Sequence, residues 1–255
     1  ATRVNSQGLI EDMQILSGDL VSNGDFSQEG SELVTNGGFD TDSDWNKTQA
    51  TISNGVANIS SDGSYAAIDQ GNVSVIGKTY LYSIDVKSII GTLQIRLGSG
   101  TDVDITTVGV KTGYIVANST TLEIKRKAGA GAINATIDNV SVKEVGQDWT
   151  LTGTATITNN QANINSPSGQ NAEIYQSSIL TIGKKYKLDC TLNKTSGDTQ
   201  FVNGGTFILN NGSNIIEFTA TDTRVYFKRG AGSVISSITN ISVQEITDDT
   251  NLPRI

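Results

Sequence analysis

One feature of this chain constrains its fold more than any other: the sequence runs through the same landmarks twice. Asp44-Trp45 recurs as Asp148-Trp149. The run from Ala50-Thr-Ile-Ser-Asn to Ala-Asn-Ile-Ser-Ser61 recurs from Ala155-Thr-Ile-Thr-Asn to Ala-Asn-Ile-Asn-Ser166. Gln70 followed by Ile76-Gly77-Lys78 reappears as Gln176 followed by Ile182-Gly183-Lys184. Ile137-Asp-Asn-Val-Ser-Val142 returns as Ile238-Thr-Asn-Ile-Ser-Val243. The landmarks keep their order at offsets of 101 to 106 residues. A chain of 255 residues so divided is two copies of one fold, each of about 100 residues, a usual domain size.

Each copy reads as strands. Tyr80, Tyr82, Ile84 and Val86 alternate with Leu81, Ser83 and Asp85; Tyr186, Leu188, Cys190 and Leu192 alternate with Lys187, Asp189 and Thr191. Period two with one apolar side is a half-buried strand. The same alternation marks Leu93-Gln94-Ile95-Arg96, Leu122-Glu123-Ile124-Lys125 and Val225-Tyr226-Phe227-Lys228. Ser, Thr and Asn compete with helical backbone hydrogen bonds, and 27 Gly add to the entropy of ordering, so this composition favours short strands and tight turns. The expectation is an all-β chain: two tandem jelly-roll β-sandwiches with a short N-terminal hairpin or extended segment. The register sets Cys190 opposite the role of Ile84, as a small buried hydrophobe and not a nucleophile.

Several functions are set aside by composition. There is no His and only one Cys, which removes Ser-His-Asp and Cys-His catalysis, imidazole metal sites and intrachain disulfides. A net charge of −8 with dispersed Lys and Arg is unsuited to a phosphate backbone, so no nucleic-acid partner is expected. No apolar run approaches the ~20 residues that span a bilayer, so no membrane insertion is expected, and Ala1–Asn5, without an apolar run, are not expected to be a leader peptide. Asp102 and Asp104 alternate, as paired carboxylates for glycoside hydrolysis could, but solvation explains them as well. The chain is expected not to be an enzyme.

The ends differ from the middle. Leu20-Val-Ser-Asn-Gly-Asp-Phe26 is echoed by Leu33-Val-Thr-Asn-Gly-Gly-Phe39, and only the second heptad leads directly into a copy. Residues 1–32 are therefore expected to be a separate attachment segment. Its start reads as a hairpin turning at Asn5–Gly8, with a helix over Leu9–Leu20 as the rival. The sandwiches are expected at 33–146 and 147–246, the second without an opening Asn-Gly-x-Phe, and 247–255 as a linker within a longer protein.

Leu33–Phe39, Asp44-Trp45, Gly77-Lys-Thr-Tyr80 and Ile137–Val145 together resemble carbohydrate-binding-module jelly rolls of the galactose-binding-like type. Ala1–Glu11 and Asn251–Ile255 resemble segments of tailed-phage virion proteins, such as tail fibres, which carry such modules as inserts. The resemblance implies a virion-surface location, other virion proteins as partners, a homo-oligomeric assembly and possible binding of cell-surface glycans. An accessory region of a secreted polysaccharide-degrading enzyme, or purely structural spacers, are the alternatives. The resemblance also implies a structural calcium ion in the first copy, held by Asp40 and Asp138; in the second copy Thr239 replaces Asp138. Sugar rings stack on exposed aromatics while polar side chains bond their hydroxyls. Tyr65, Tyr175 and Tyr226, outside the apolar register, are the stacking candidates, and Asp85, Gln94 and Arg96 the polar partners.

Overall fold

The computed structural model describes residues 2–4, 10–12 and 15–246. Every regular element among them is a strand, and every pairing is antiparallel. Contacts divide the chain into two units, residues 29–147 and residues 148–255 together with 1–28.

In the 29–147 unit one sheet runs Val103–Ile105, Leu93–Arg96, Leu122–Arg126, Ala67–Gln70, Asn46–Thr48. The facing sheet runs Gly109–Val116, Thr79–Ile90, Ile133–Val145, Val56–Ser61, Ala50–Ser53, with Glu29–Glu32 also on Ile133–Val145. The apolar halves of the alternating strands meet between the sheets: Phe39, Trp45, Ile59, Ile68, Tyr80, Ile84, Leu93, Ile95 and Ile124 are buried there. The other unit repeats the strand order. Thr206–Ile208, Thr199–Val202, Val225–Arg229, Ala172–Gln176 and Thr150–Gly153 form one sheet; Gly212–Thr219, Lys185–Ser196, Val234–Glu245, Gln161–Ser166 and Thr156–Thr158 form the other. The duplication is thus a duplication of topology, and Ile84 and Cys190 occupy equivalent buried positions at 0% and 3% exposure.

The closing strand of each unit carries a bulge. Asn139 and Asn240 adopt φ of 49° and 53°, a region Asn tolerates better than most residues, and the ladder between Asp138 and Ser141 shifts register there. The extra residue lets one long strand serve two neighbours: Ile133–Ile137 pairs with Val56–Ser61, and Lys143 and Val145 pair with Glu29–Glu32.

The expected independence of residues 1–32 does not hold. Residues 15–28 are built into the 148–246 sandwich, supplying the opening heptad that its own sequence lacks. Leu16 N donates to Glu245 O and Leu20 N to Val243 O, while Ile241 N donates to Gly24 O. Val21 and Phe26 are buried. The second heptad does the same work in its own unit: Leu33 N donates to Val142 O and Val140 N to Gly37 O. The boundary at 32 also moves, because Glu29–Glu32 belongs to the 29–147 unit. The cause is that the bulged closing strand of each unit presents the same backbone groups, and a heptad pairs with them in each.

At the start, Thr2–Val4 pairs with Ile10–Asp12, Val4 opposite Ile10, as a hairpin requires. The rival helix is excluded, since Ile10–Asp12 is strand and Ile15 bridges Ile246. The expected turn at Asn5–Gly8 and the expected linker 247–255 lie outside the described residues.

Candidate functional site

A sandwich has two outer faces, and the polar residues proposed from sequence fall on both. Gln94 and Arg96 lie on the outer face of the five-stranded sheet of the 29–147 unit, whereas Asp85 lies on Thr79–Ile90 in the facing sheet. Asp85 therefore cannot share a site with Gln94 and Arg96: the core separates them. On its own face Asp85 is 2.6 Å from Lys87 Nζ, which also lies 3.4 Å from Asp138.

Asp138 bears on the calcium expectation. Its Oδ1 accepts Asn139 N at 2.7 Å and its Oδ2 accepts Asn139 Nδ2 at 3.1 Å, with Lys87 beside it. Asp40 is exposed just past the Asn36–Phe39 turn. Calcium takes six to eight oxygens. A carboxylate already occupied by an amide and a lysine, with one exposed partner, does not fit that demand. Among the described residues no group of three or more Asp, Glu or Cys side chains is placed to hold a metal.

The five-stranded face of the 29–147 unit is a ladder of charges that pair with one another. Arg96 bonds Glu123 on the neighbouring strand through Nε and Nη2, and its Nη1 lies 3.5 Å from Asp102. Lys125 reaches Asp102 at 3.3 Å, and Lys127 pairs with Asp104. Gln94 is nearly covered and donates to Asp104 at 2.8 Å. Burial alone would raise the Asp102 carboxyl, but Lys125 and Arg96 outweigh it and hold it below the ordinary value. Lys127 and Gln94 lower Asp104 as well. Both aspartates are thus charged partners within the ladder of the sheet. Tyr65, 52% exposed, donates its hydroxyl to Glu123; burial first, then that carboxylate, pushes it up to about 12.

The equivalent face of the other unit is chemically different. Tyr175 and Tyr226 are directly opposed on adjacent strands, their rings edge to face with centroids 6.2 Å apart. The Arg224 guanidinium lies 5.6 Å from one ring centroid and 5.0 Å from the other. Asp222 fixes that guanidinium through Arg224 Nε at 2.9 Å and Nη2 at 2.6 Å, which raises the arginine and lowers the aspartate. Burial, then a hydrogen bond to Glu173, raises the Tyr226 hydroxyl. Glu173 also pairs in register with Lys228, and Gln200 follows on the next strand. Asp69 and Glu123 of the first unit correspond to Tyr175 and Tyr226, and Arg96 to Val202. One copy carries ions where the other carries aromatic rings.

Of the residues proposed from sequence, Tyr175 and Tyr226 come together, as do Tyr65, Gln94 and Arg96 around Glu123 and its neighbours. Glu123, Glu173, Lys228 and Arg224 were not singled out. Glu123 and Lys228 stood in the alternation as outward positions beside named ones. Arg224 stands two residues before Tyr226, so period two already placed it on the same face.

Trp45 and Trp149 anchor the core and take no part in either face. Each donates its indole N–H to the carbonyl of a heptad Asn, Trp45 to Asn36 at 3.1 Å and Trp149 to Asn23 at 3.0 Å.

No family model matches this chain, and no curated protein matches it. Among solved structures it is similar to the N-terminal CBM22-1–CBM22-2 tandem domain of Xyn10C from Paenibacillus barcinonensis: 10% identity, 86% of this chain, 99% of that one, TM-score 0.34. It is also similar to a Paenibacillus xanthan lyase at 16% identity, with 84% of this chain covering 25% of that one and a TM-score of 0.28. A third is the major capsid protein P2 of bacteriophage PM2, at 12% identity, 77% of this chain, 100% of that one and a TM-score of 0.20. At these scores the likenesses assign neither family nor ligand.

Proposed function

We propose that this protein is a non-enzymatic glycan-binding component of a virion surface, and that the 148–246 sandwich carries the binding face. The observation that carries the reading is the Tyr175–Tyr226 pair under Arg224. Two rings held on a rigid sheet offer apolar surface to the C–H face of a sugar, and neighbouring Glu173, Lys228 and Gln200 offer donors and acceptors to its hydroxyls. Arg224 is paired with Asp222, and Glu173 accepts from Thr152 and Tyr226, which suits a neutral glycan better than a strongly anionic one. Such a shallow face supports dissociation constants on the order of 0.01–1 mM per site. Homo-oligomeric display then supplies avidity. The virion setting draws on the likeness of the chain's two ends to tailed-phage proteins.

The test is a glycan array probed with an oligomerised form of the protein, repeated with Tyr175→Ala and Tyr226→Ala together. Binding that disappears in the folded double variant is the expected result. An empty array, or binding indifferent to both tyrosines, overturns it. The full reading frame and its neighbours test the setting: capsid, portal or terminase genes alongside support a virion protein. A catalytic domain in the same frame instead makes these modules the accessory region of a polysaccharide-degrading enzyme.

A further inference from the structure

The two copies differ at one more place, the rim where the five-stranded sheet ends. In the 29–147 unit this rim is an open cleft of about 480 Å³, within the ~300–1,000 Å³ range of small-molecule sites. Its walls are Arg96 and Glu123 on the sheet, with Ser99, Asn118, Ser119 and Thr121 on the two adjoining turns. The turns are braced internally. Asn118 Nδ2 bonds Ser99 O, and Thr101 Oγ1 bridges Gly98 O and Leu97 N. Gly98, at φ 103°, faces the Asn118 side chain so closely that a methyl group there would collide with it.

The other copy carries a different residue at the same rim. Val73 N and Ser74 N donate to Thr120 O as Ile179 N and Leu180 N donate to Thr223 O, which makes Thr121 and Arg224 equivalent. In the 148–246 unit the long Arg224 side chain lies over Tyr175 and Tyr226. In the 29–147 unit the same position holds a short Thr121, and the rim stays open.

We infer that this cleft is a second, separate ligand site, and that it takes a single neutral polyhydroxylated ring, such as one sugar unit. The inference rests on the glycan-binding reading for its ligand class, but on different residues. The chemistry of the walls selects that class. Arg96 and Glu123 neutralise each other, and Tyr65 holds the second Glu123 oxygen, so the floor has no net charge to offer an ion. What projects instead is a set of short hydroxyls from Ser99, Ser119 and Thr121, each both donor and acceptor. Ser119 Oγ already accepts Thr121 N at 3.3 Å, which leaves its proton to donate. Hydroxyls that both donate and accept match the paired groups of a vicinal diol. The absence of an aromatic wall distinguishes the cleft from the tyrosine face: it grips hydroxyls and does not stack rings.

The experiment is an amide NMR titration of the full chain with methyl glycosides of neutral hexoses, and with glucuronic acid as the charged control. Amides of Ser99, Asn118, Ser119 and Thr121 are expected to shift with a neutral glycoside at ~10 mM, a concentration that populates millimolar sites. Glucuronic acid should bind no more tightly, because the neutral Arg96–Glu123 pair offers its carboxylate no counter-charge. Thr121→Arg, which puts the other copy's long side chain on the cleft wall, should weaken binding at least ~10-fold, and Thr121→Val should weaken it without filling the cleft. The same shifts should persist in the Tyr175→Ala/Tyr226→Ala variant. Shifts at Tyr175 and Tyr226 with a silent cleft overturn this inference and leave the proposed function standing. Silence at both overturns both. Cleft binding unaffected by Thr121→Arg in a folded variant also overturns it.

Discussion

The indole N–H of Trp149 donates to the carbonyl of Asn23 across 126 residues of sequence, and their counterparts Trp45 and Asn36 repeat the bond at a separation of only nine. Around each bond the same contacts assemble. Phe26 tilts against Trp149 with centroids 5.2 Å apart, and Phe39 against Trp45 at 5.4 Å. Gln176 exchanges two hydrogen bonds with the Ser22 backbone as Gln70 does with Thr35. Asp19 Oδ1 accepts Val243 N as Glu32 Oε1 accepts Val142 N. The heptad is a recognised part, and each body takes one.

Gly24 and Gly37 are where that recognition is least forgiving. A methyl group on Gly24 would overlap the Ile241 carbonyl oxygen, and one on Gly37 the Val140 carbonyl oxygen. The obstacle is backbone, so it cannot swing aside. Gly24→Ala should therefore destabilise the 148–246 sandwich by at least ~2 kcal/mol and spare the 29–147 sandwich, and Gly37→Ala should do the reverse. Hydrogen exchange resolved by residue measures this. Equal loss of protection in both units would refute the assignment of one heptad to each body.

The nesting makes a second prediction. Glu29 and Val145 are paired across adjacent strands, so the 29–147 unit leaves and re-enters the chain at neighbouring points. Insertions are tolerated where ends lie together and few contacts cross. Joining Gln28 to Asp148 through a short flexible linker should leave a sandwich with its tertiary near-ultraviolet signal from Trp149 intact. Removing residues 1–28 should instead expose Trp149 and lower the midpoint of unfolding sharply. A truncated 148–255 chain as stable as the joined one would show that the heptad contributes little.

Much of this fold is legible in the sequence because its signals are local or repeated. Alternation identified the buried side of the strands, and duplication confirmed the register by giving each position a second witness. Period two does not reveal which of two sheets a strand joins. Asp85 and Arg96 both alternate outward, yet they end on opposite faces of one sandwich. Nor could adjacency assign Leu20–Phe26, because its partner lies beyond an entire folded unit. The tyrosine face was half legible. Tyr175 and Tyr226 stood out of register, but their direct opposition is a property of strand pairing over a separation that the sequence does not display.

Equivalent core positions have exchanged volume between the copies. Tyr82 sits opposite Gly113, and Leu188 opposite Ile216, at the same register point of the two units. A methyl group on Gly113 would lie 2.8 Å from the Tyr82 ring and hydroxyl. The large ring and the bare backbone are one solution; two branched aliphatics are the other. Gly113→Ala should cost about 1–3 kcal/mol by overpacking. Combining Tyr82→Leu with Gly113→Ile imports the other copy's solution and should recover much of the loss. The double-mutant cycle, read by urea unfolding, should give a coupling energy above ~0.5 kcal/mol. Strict additivity would mean that the two positions pack independently.

Cys190 supplies a chemical readout of the same equivalence. It stands where Ile84 stands, and burial pushes its thiol up to about 12, with Asp189 adding to the effect. The thiolate is the reactive form, so the folded protein should resist iodoacetamide at pH 8.5, where an unfolded cysteine is about half ionised. The unfolded chain releases this proton near pH 8.5 and the folded chain only near 12. The stability that the neutral thiol contributes is therefore complete below about pH 8.5 and is lost progressively as the pH climbs towards 12. Cys190→Ala should flatten the alkaline limb of a stability–pH curve while lowering stability at neutral pH through the small cavity it leaves. Rapid alkylation of the native chain, at a rate equal to that in urea, would place Cys190 at the surface and break its correspondence with Ile84.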